Sequence, residues 1–218
     1  MVIVMRSVAV MPIKLNNERL PGKNTMMLGE RPLLNHMLLK MRKAKVADEI
    51  YVYCSSAEIR GVLPEGILFL ERAKFLDQPL ANFNQIFSEF MKTVDADIYI
   101  YIHATAPFVS LQTIIDCYTA VTDKGYDSAF CAEKIQDFLW EDGEPMNFDG
   151  DNLPRSQDLK PIYRETSGVY VFRREVFERL HRRIGKHPYI KEVGYKEAVD
   201  INTLHDFKLA EALLEADI

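Results

Sequence analysis

Short apolar runs alternate along this chain with stretches in which apolar residues return every three or four positions. The runs fall at 7–11, 50–53, 67–70, 98–102, 128–132 and 169–172, which predicts six strands. The periodic stretches at 33–45, 82–93, 111–122, 174–180 and 204–216 predict five helices. Ser110 and Thr203 stand where N-caps are needed, and Thr203 with Asp206 three residues on resembles a capping box with aspartate in place of glutamate. Strand-like runs separated by helices build a mainly parallel sheet with helices on both faces, so the fold class is α/β.

One stretch breaks the alternation. After the fifth predicted strand, Phe138-Leu139-Trp140-Glu141 is followed by the turn pair Asp142-Gly143 and then by Glu144-Pro145-Met146, a hairpin signature. It carries the chain's one tryptophan and runs into a polar segment that ends near Gln157. A two-stranded ribbon buries little by itself. Residues 137–166 therefore read as an arm that packs on a partner subunit in a homodimer, the alternative being a surface hairpin folded on its own domain.

With 218 residues, 48% of them hydrophobic, the chain can build one full core, so a single domain spanning 1–218 with this excursion is the economical division. The net charge of −5 argues against a general nucleic-acid binder, which needs a basic face to neutralise many phosphates. Any anionic ligand has to be met by local cations. The opening Met1-Val2-Ile3-Val4-Met5 is cut by Arg6 and has neither the long apolar region of a leader nor the length of a membrane span, which leads us to expect a cytoplasmic protein. Cys54, Cys117 and Cys131 are odd in number and widely spaced, as expected of reduced thiols packed as small apolar groups.

The chemistry begins just after the first strand. Lys14, Arg19 and Lys23 surround the turn Leu20-Pro21-Gly22, and a basic, turn-rich loop at the carboxyl end of a parallel strand is a natural place for a phosphate. From Pro12 onward, Arg19-Leu20-Pro21-Gly22-Lys23-Asn24 and then Leu28-Gly29 and Pro32-Leu33 resemble the signature P-A-R-G-G-S-K-R-L-P-G-K-N, followed by an apolar residue, G, a basic residue and P-L, of the CMP-sugar synthetases. Three further stretches resemble the same family in the same order. His103-Ala104-Thr105-Ala106-Pro107 resembles Q-P-T-S-P of its sialic-acid branch. Arg155-Ser156-Gln157-Asp158-Leu159, Tyr163-Arg164 and Gly168-Val169-Tyr170 resemble R-x-Q-x-L, F/Y-R and G-I/A-Y. Val199-Asp200-Ile201-Asn202-Thr203 with Asp206-Phe207 resembles I-D-I-D-T-x-x-D-F.

The resemblance implies a Rossmann-like nucleotidyltransferase sheet, Mg²⁺ as cofactor, a homodimer, and transfer of CMP from CTP to an acidic sugar of the sialic-acid type with release of pyrophosphate. It implies that Lys23, Lys14 and Asp200 are catalytic and that Lys14, Asn16, Arg19 and Lys23 hold the nucleotide, with Arg72 matching the arginine that reads cytosine. Asp200 and Asn202 would face the metal, and His103, Thr105, Gln157 and Arg164 the acceptor. These assignments suit the reaction, because nucleotidyl transfer relies on positioning and on spreading phosphate charge over cations and a hard metal ion. A guanidinium such as Arg164 pairs a sugar carboxylate bidentately. Asp206 reads as a helix cap.

The chain also departs from the pattern. Leu15-Asn16-Asn17 replace Gly-Gly-Ser, so the loop must bend differently. Lys14 replaces arginine and loses the planar fork, and Glu18 replaces lysine. Ser55 stands where the family strand V-S-T-D has its aspartate, and Asn202 stands for the second aspartate of D-I-D. These changes leave two alternatives open: cytidylyl transfer to a different small acceptor, and a non-catalytic nucleotide-binding homologue.

Overall fold

The computed structural model describes residues 5–216. Most of the N-terminal run considered above as leader or span lies outside the described residues. Seven strands form the main sheet: β1 (Ser7–Ile13), β2 (Glu49–Cys54), β3 (Leu68–Glu71), β4 (Ile98–Ile102), β5 (Ser128–Ile135), β6 (Ile162–Arg173) and β7 (Pro188–Val193). Their order across the sheet is β7-β5-β6-β4-β1-β2-β3. β1 runs parallel to β2 and β4, β2 to β3, and β5 to β7, whereas β6 runs antiparallel to both of its neighbours. The helices are α1 (Leu33–Ala44), α2 (Phe83–Thr93), α3 (Leu111–Thr122), α4 (Arg174–Leu180) and α5 (Leu204–Glu215). Among the described residues no helix is long and apolar enough to cross a membrane.

The sheet is covered on both faces, which explains why its strands read as apolar runs. Successive side chains of a strand point to opposite faces, and β4, with the sequence Ile-Tyr-Ile-Tyr-Ile, sorts cleanly. Ile98, Ile100 and Ile102 join Met37, Leu38 and Met41 of α1 and Ile114, Cys117 and Val121 of α3 in one core. Tyr99 and Tyr101 join Phe87 and Phe90 of α2 and Phe177 of α4 in the other. There the Tyr99 hydroxyl donates to Val94 O at 2.9 Å, so its burial leaves no orphan. Ser110, Asn82 and Thr203 cap α3, α2 and α5, the last two as complete capping boxes, with Asp206 in the Glu/Gln position for α5.

The sheet holds more strand than the hydrophobic pattern predicts. β7 was not foreseen: it is an edge strand that begins with Pro188 and carries Lys191 and Glu192, so it lacks the apolar run of an inner strand. β6 starts seven residues before the predicted 169–172, because Tyr163, Arg164 and Glu165 are solvent-exposed ladder residues. Its register shifts between Glu165 and Tyr170, a bulge at Thr166-Ser167-Gly168. Gly168 is needed there, since a Cβ would lie 2.8 Å from Val109 Cγ2.

The anticipated hairpin pairs Trp140–Glu141 with Glu144–Pro145. Asp142 (φ 49°) and Gly143 (φ 87°) both take the left-handed conformation that a tight hairpin turn of this hand requires. Phe148 packs edge-on against Phe138 and Trp140, yet Trp140 stays 62% exposed and Leu153 67%.

Candidate active site

The segments that carry the motifs converge at the carboxyl ends of β1 and β4. The loop after β1 is held in place by its second half. Gly22 adopts a left-handed φ of 68° and opens a 3-10 turn at Lys23–Thr25. The Asn24 amide then reaches back to Lys14 O at 2.9 Å and Asn17 Oδ1 at 3.3 Å, tying the ends of the loop together. Leu20 packs beside a small third core of Leu28, Leu33, Phe108, Ile201, Phe207 and Ala210, which joins the loop to the segment leading into α5. Ile201 N–H in turn donates to Thr105 O at 2.9 Å, bringing in the chain after β4.

This frame encloses a cavity of about 350 Å³. Lys14, Arg19, Lys23, His103, Thr105, Asp200 and Asn202, all singled out from sequence, line it together. Lys23 is 7% exposed, and its Nζ donates to Ile201 O at 2.8 Å and to Asn202 Oδ1 at 3.5 Å. Arg19 donates to the same amide oxygen at 2.7 Å, while Asn202 Nδ2 donates to Asp200 Oδ2, also at 2.7 Å. The amide of Asn202 is thus the link between two cations and the carboxylate. Burial lowers the Lys23 amine, and Asp200 partly opposes that shift.

Two buried atoms of the wall have no hydrogen-bond partner, Asp200 Oδ1 and His103 Nε2. Buried polar atoms are rarely left unpaired unless something else meets them. Burial and the nearby Arg183 push His103 down to about 4, so its ring is neutral at pH 7. Among the described residues no group of three or more His, Cys, Asp or Glu side chains could hold a metal by itself. The unpartnered Asp200 oxygen still fits Mg²⁺, which takes one or two carboxylates and completes its shell with water and substrate phosphates.

A second cavity of about 370 Å³ shares Asp200 and Asn202 with the first and is lined by Arg164, Glu133 and Tyr195 on its far side. Arg164 Nε donates to Glu133 Oε2 at 2.9 Å, and a terminal N–H reaches the same oxygen. The arginine side chain nevertheless stays 59% exposed. A third cavity of about 260 Å³ adjoins the first, sharing Lys14, Asn17, Arg19 and Lys23 with it, and is lined further by Glu18, Leu20 and Pro79.

Other residues singled out from sequence fall elsewhere. Asn16 is exposed, and its neighbour Asn17 is the one on the cavity wall. Gln157 is exposed on a 3-10 turn, where its carbonyl accepts from Gln136 Nε2 at 2.9 Å. Arg72 is 2% exposed beyond the end of β3, ion-paired with Asp77, and does not line the cavities described above. Conversely, Asn17, Ser167, Glu133 and Tyr195 were not anticipated. Ser167 reaches the cavity because of the bulge, for which Gly168 was the available signal.

Comparison with known proteins agrees with the geometry. The family described as cytidylyltransferase matches residues 8–216. The N-acylneuraminate cytidylyltransferase A of Danio rerio is 26% identical over 202 residues, covering 88% of this chain but 47% of the relative. The chain spans about half the length of that relative. A CMP-N,N'-diacetyllegionaminic acid synthase of Legionella pneumophila is 24% identical over 229 residues and is covered, like this chain, over 97% of its length. The structure of CMP:2-keto-3-deoxy-manno-octonic acid synthetase complexed with CTP superposes with a TM-score of 0.73 at 16% identity, covering 98% of this chain and all of the other, and so shares the fold. By the match across nearly its whole length, the chain belongs to the cytidylyltransferase family.

Proposed function

We propose that this protein transfers CMP from CTP to an acidic sugar of the ulosonic-acid class and releases pyrophosphate. The observation that carries this reading is the cavity wall that Lys14, Arg19 and Lys23 share with Asp200, whose Oδ1 has no partner. In the reaction the acceptor hydroxyl oxygen bonds to the α-phosphorus and gives its proton to solvent, the bond from the α-phosphorus to the α–β bridging oxygen breaks, and pyrophosphate leaves with that oxygen. Lys23 neutralises the charge that grows on the phosphate oxygens, and its burial strengthens that interaction. Arg19 and Lys14 hold the departing pyrophosphate. Mg²⁺, bound by Asp200 and the triphosphate with Asn202 beside it, would supply further charge neutralisation when present.

The acceptor lies in the second cavity, on the other side of Asp200, with its carboxylate on Arg164. His103, neutral and with an unpartnered Nε2, and Thr105 meet its hydroxyls or the ribose. Arg72 reads the cytosine. The exposed aromatic hairpin within 137–166 packs against a second copy in a homodimer, and the protein works in the cytoplasm. The name of the Legionella relative, a synthase of CMP-diacetyllegionaminic acid, supports the acceptor class.

Glu133 favours a second reading, cytidylyl transfer to another small hydroxylated acceptor, because it already occupies Arg164. Pyrophosphate release by the purified chain with Mg²⁺, each of the four nucleoside triphosphates and a panel of neutral and acidic sugars separates the two. The proposal expects release with CTP and an ulosonic acid. Release with neutral acceptors alone supports the second reading, and CTP binding without release from any pair refutes catalysis.

A further inference from the structure

Arg72 and Asp77 follow β3, outside the cavities lined by the loop cations, and nothing above gives Asp77 a part in the reaction. A guanidinium stays charged at any working pH, so a buried arginine needs a counter-charge. Asp77 supplies it. One of its carboxylate oxygens accepts from the Arg72 guanidinium and the other from the Ser55 hydroxyl. Its place is fixed by the 3-10 turn Lys74–Asp77, which Leu76 anchors by burying its side chain. Arg72 N–H donates to Cys54 O at 3.0 Å, and the guanidinium lies 5.9 Å from the centre of the Tyr53 ring. Its Nε, by contrast, is buried without a partner. The guanidinium is thus clamped along one edge, in an orientation that Asp77 sets.

We infer that Asp77 is the positioning residue that aims Arg72 at a pyrimidine base, and that it supplies from the turn after β3 the carboxylate missing at Ser55. This inference rests on the proposed cytosine-reading role of Arg72.

The test measures the affinities of the full chain for CTP, UTP and inorganic triphosphate in Mg²⁺ without acceptor, and follows thermal unfolding. Arg72→Lys and Asp77→Asn are each expected to cut the preference for CTP over UTP on the order of tenfold, the worth of one hydrogen bond to a charged group. Affinity for inorganic triphosphate should change less than about twofold, since the phosphate cations are untouched. The double exchange Ser55→Asp with Asp77→Ser should restore the preference. If Arg72→Lys loses the preference and Asp77→Asn keeps it, Asp77 is a structural counter-charge only and the inference is overturned. An exchange variant that stays folded but unselective overturns it as well. A preference unchanged in Arg72→Lys instead overturns the base-reading role of the arginine. Should Asp77→Asn fail to fold, the exchange variant, which conserves the charge, decides alone.

Discussion

Replacing Lys23 by methionine isolates its charge, because methionine keeps most of the aliphatic stem. The folding cost comes from two opposed effects. Ile201 O loses the charged donor now 2.8 Å away, and an orphaned buried carbonyl costs about 1–3 kcal/mol. Against that, the folded state no longer has to hold a buried ammonium, whose burial already lowers its proton affinity. The net loss should be about 1 kcal/mol, which in a domain of this size lowers the melting temperature by roughly 2–4 °C. Catalysis should suffer far more. A preorganised donor to a developing anion is worth about 10²–10³ in kcat, or roughly 3–4 kcal/mol. If Lys23 acts, as proposed, on charge that grows during transfer, the loss should fall on kcat rather than on KM for CTP. Steady-state pyrophosphate release and a thermal melt on the same preparation give both quantities. A variant that keeps more than about a tenth of wild-type kcat would refute the assignment of Lys23 to the reacting phosphate, whatever its melting temperature.

Three further expectations follow from particular contacts. His103 is held near 4 in the folded state against 6.5 for a freely solvated imidazole, so between those values the unfolded chain binds more protons and stability rises with pH. Urea titrations should lose about 3 kcal/mol of stability through this group on going from pH 7 to below pH 4; His103→Gln should flatten that part of the acid limb, and an unchanged limb contradicts the assignment. Gly168→Ala sets a Cβ 2.8 Å from buried Val109, and overpacking of this kind should cost about 1–3 kcal/mol by denaturant midpoint; a midpoint unmoved means the bulge can shift freely. Asn202→Asp puts a second carboxylate where an amide N–H now lies 2.7 Å from Asp200, so Mn²⁺ affinity by electron paramagnetic resonance should rise several-fold, while thermal stability without metal falls. No gain in Mn²⁺ affinity argues that Asp200 faces no metal.

The sheet and its helices were legible wherever burial on both sides forces apolar runs, as in β1 and β4. They were hidden where a strand meets solvent. β7, with Lys191 and Glu192 on an edge, and the first third of β6, with Tyr163-Arg164-Glu165, have no pattern of their own and are strands only because β5 lies beside them. The site divides in the same way. Lys14, Lys23 and Asp200 follow apolar strands or precede a capped helix, so their positions could be inferred from the elements that carry them. Asn17 and Ser167 reach the cavity through loop geometry and a bulge, which one-residue differences decide. That is why Asn17 lies on the wall and Asn16 in solvent.

The Asn202 substitution, which looked like a loss of metal-binding capacity, also has a charge consequence. In the first cavity Lys14, Arg19 and Lys23 bring three positive charges against the single negative charge of Asp200. Fully ionised CTP carries four negative charges and falls to two with Mg²⁺ bound, so the wall as it stands would complement the proposed ligand. An aspartate at 202 would halve the excess positive charge and draw Arg19 and Lys23 into ion pairs that the triphosphate must break. The neutral amide offers the two cations a weaker partner, which a phosphate oxygen can displace at smaller cost. Glu18 lines the adjoining third cavity with Lys14, Arg19 and Lys23, and since it is exposed, water and salt weaken its pull on them. On the proposed function, the amide at 202 would weaken Mg²⁺ binding and leave the cations freer for the nucleotide, and the two effects would oppose each other in any rate measured at limiting Mg²⁺.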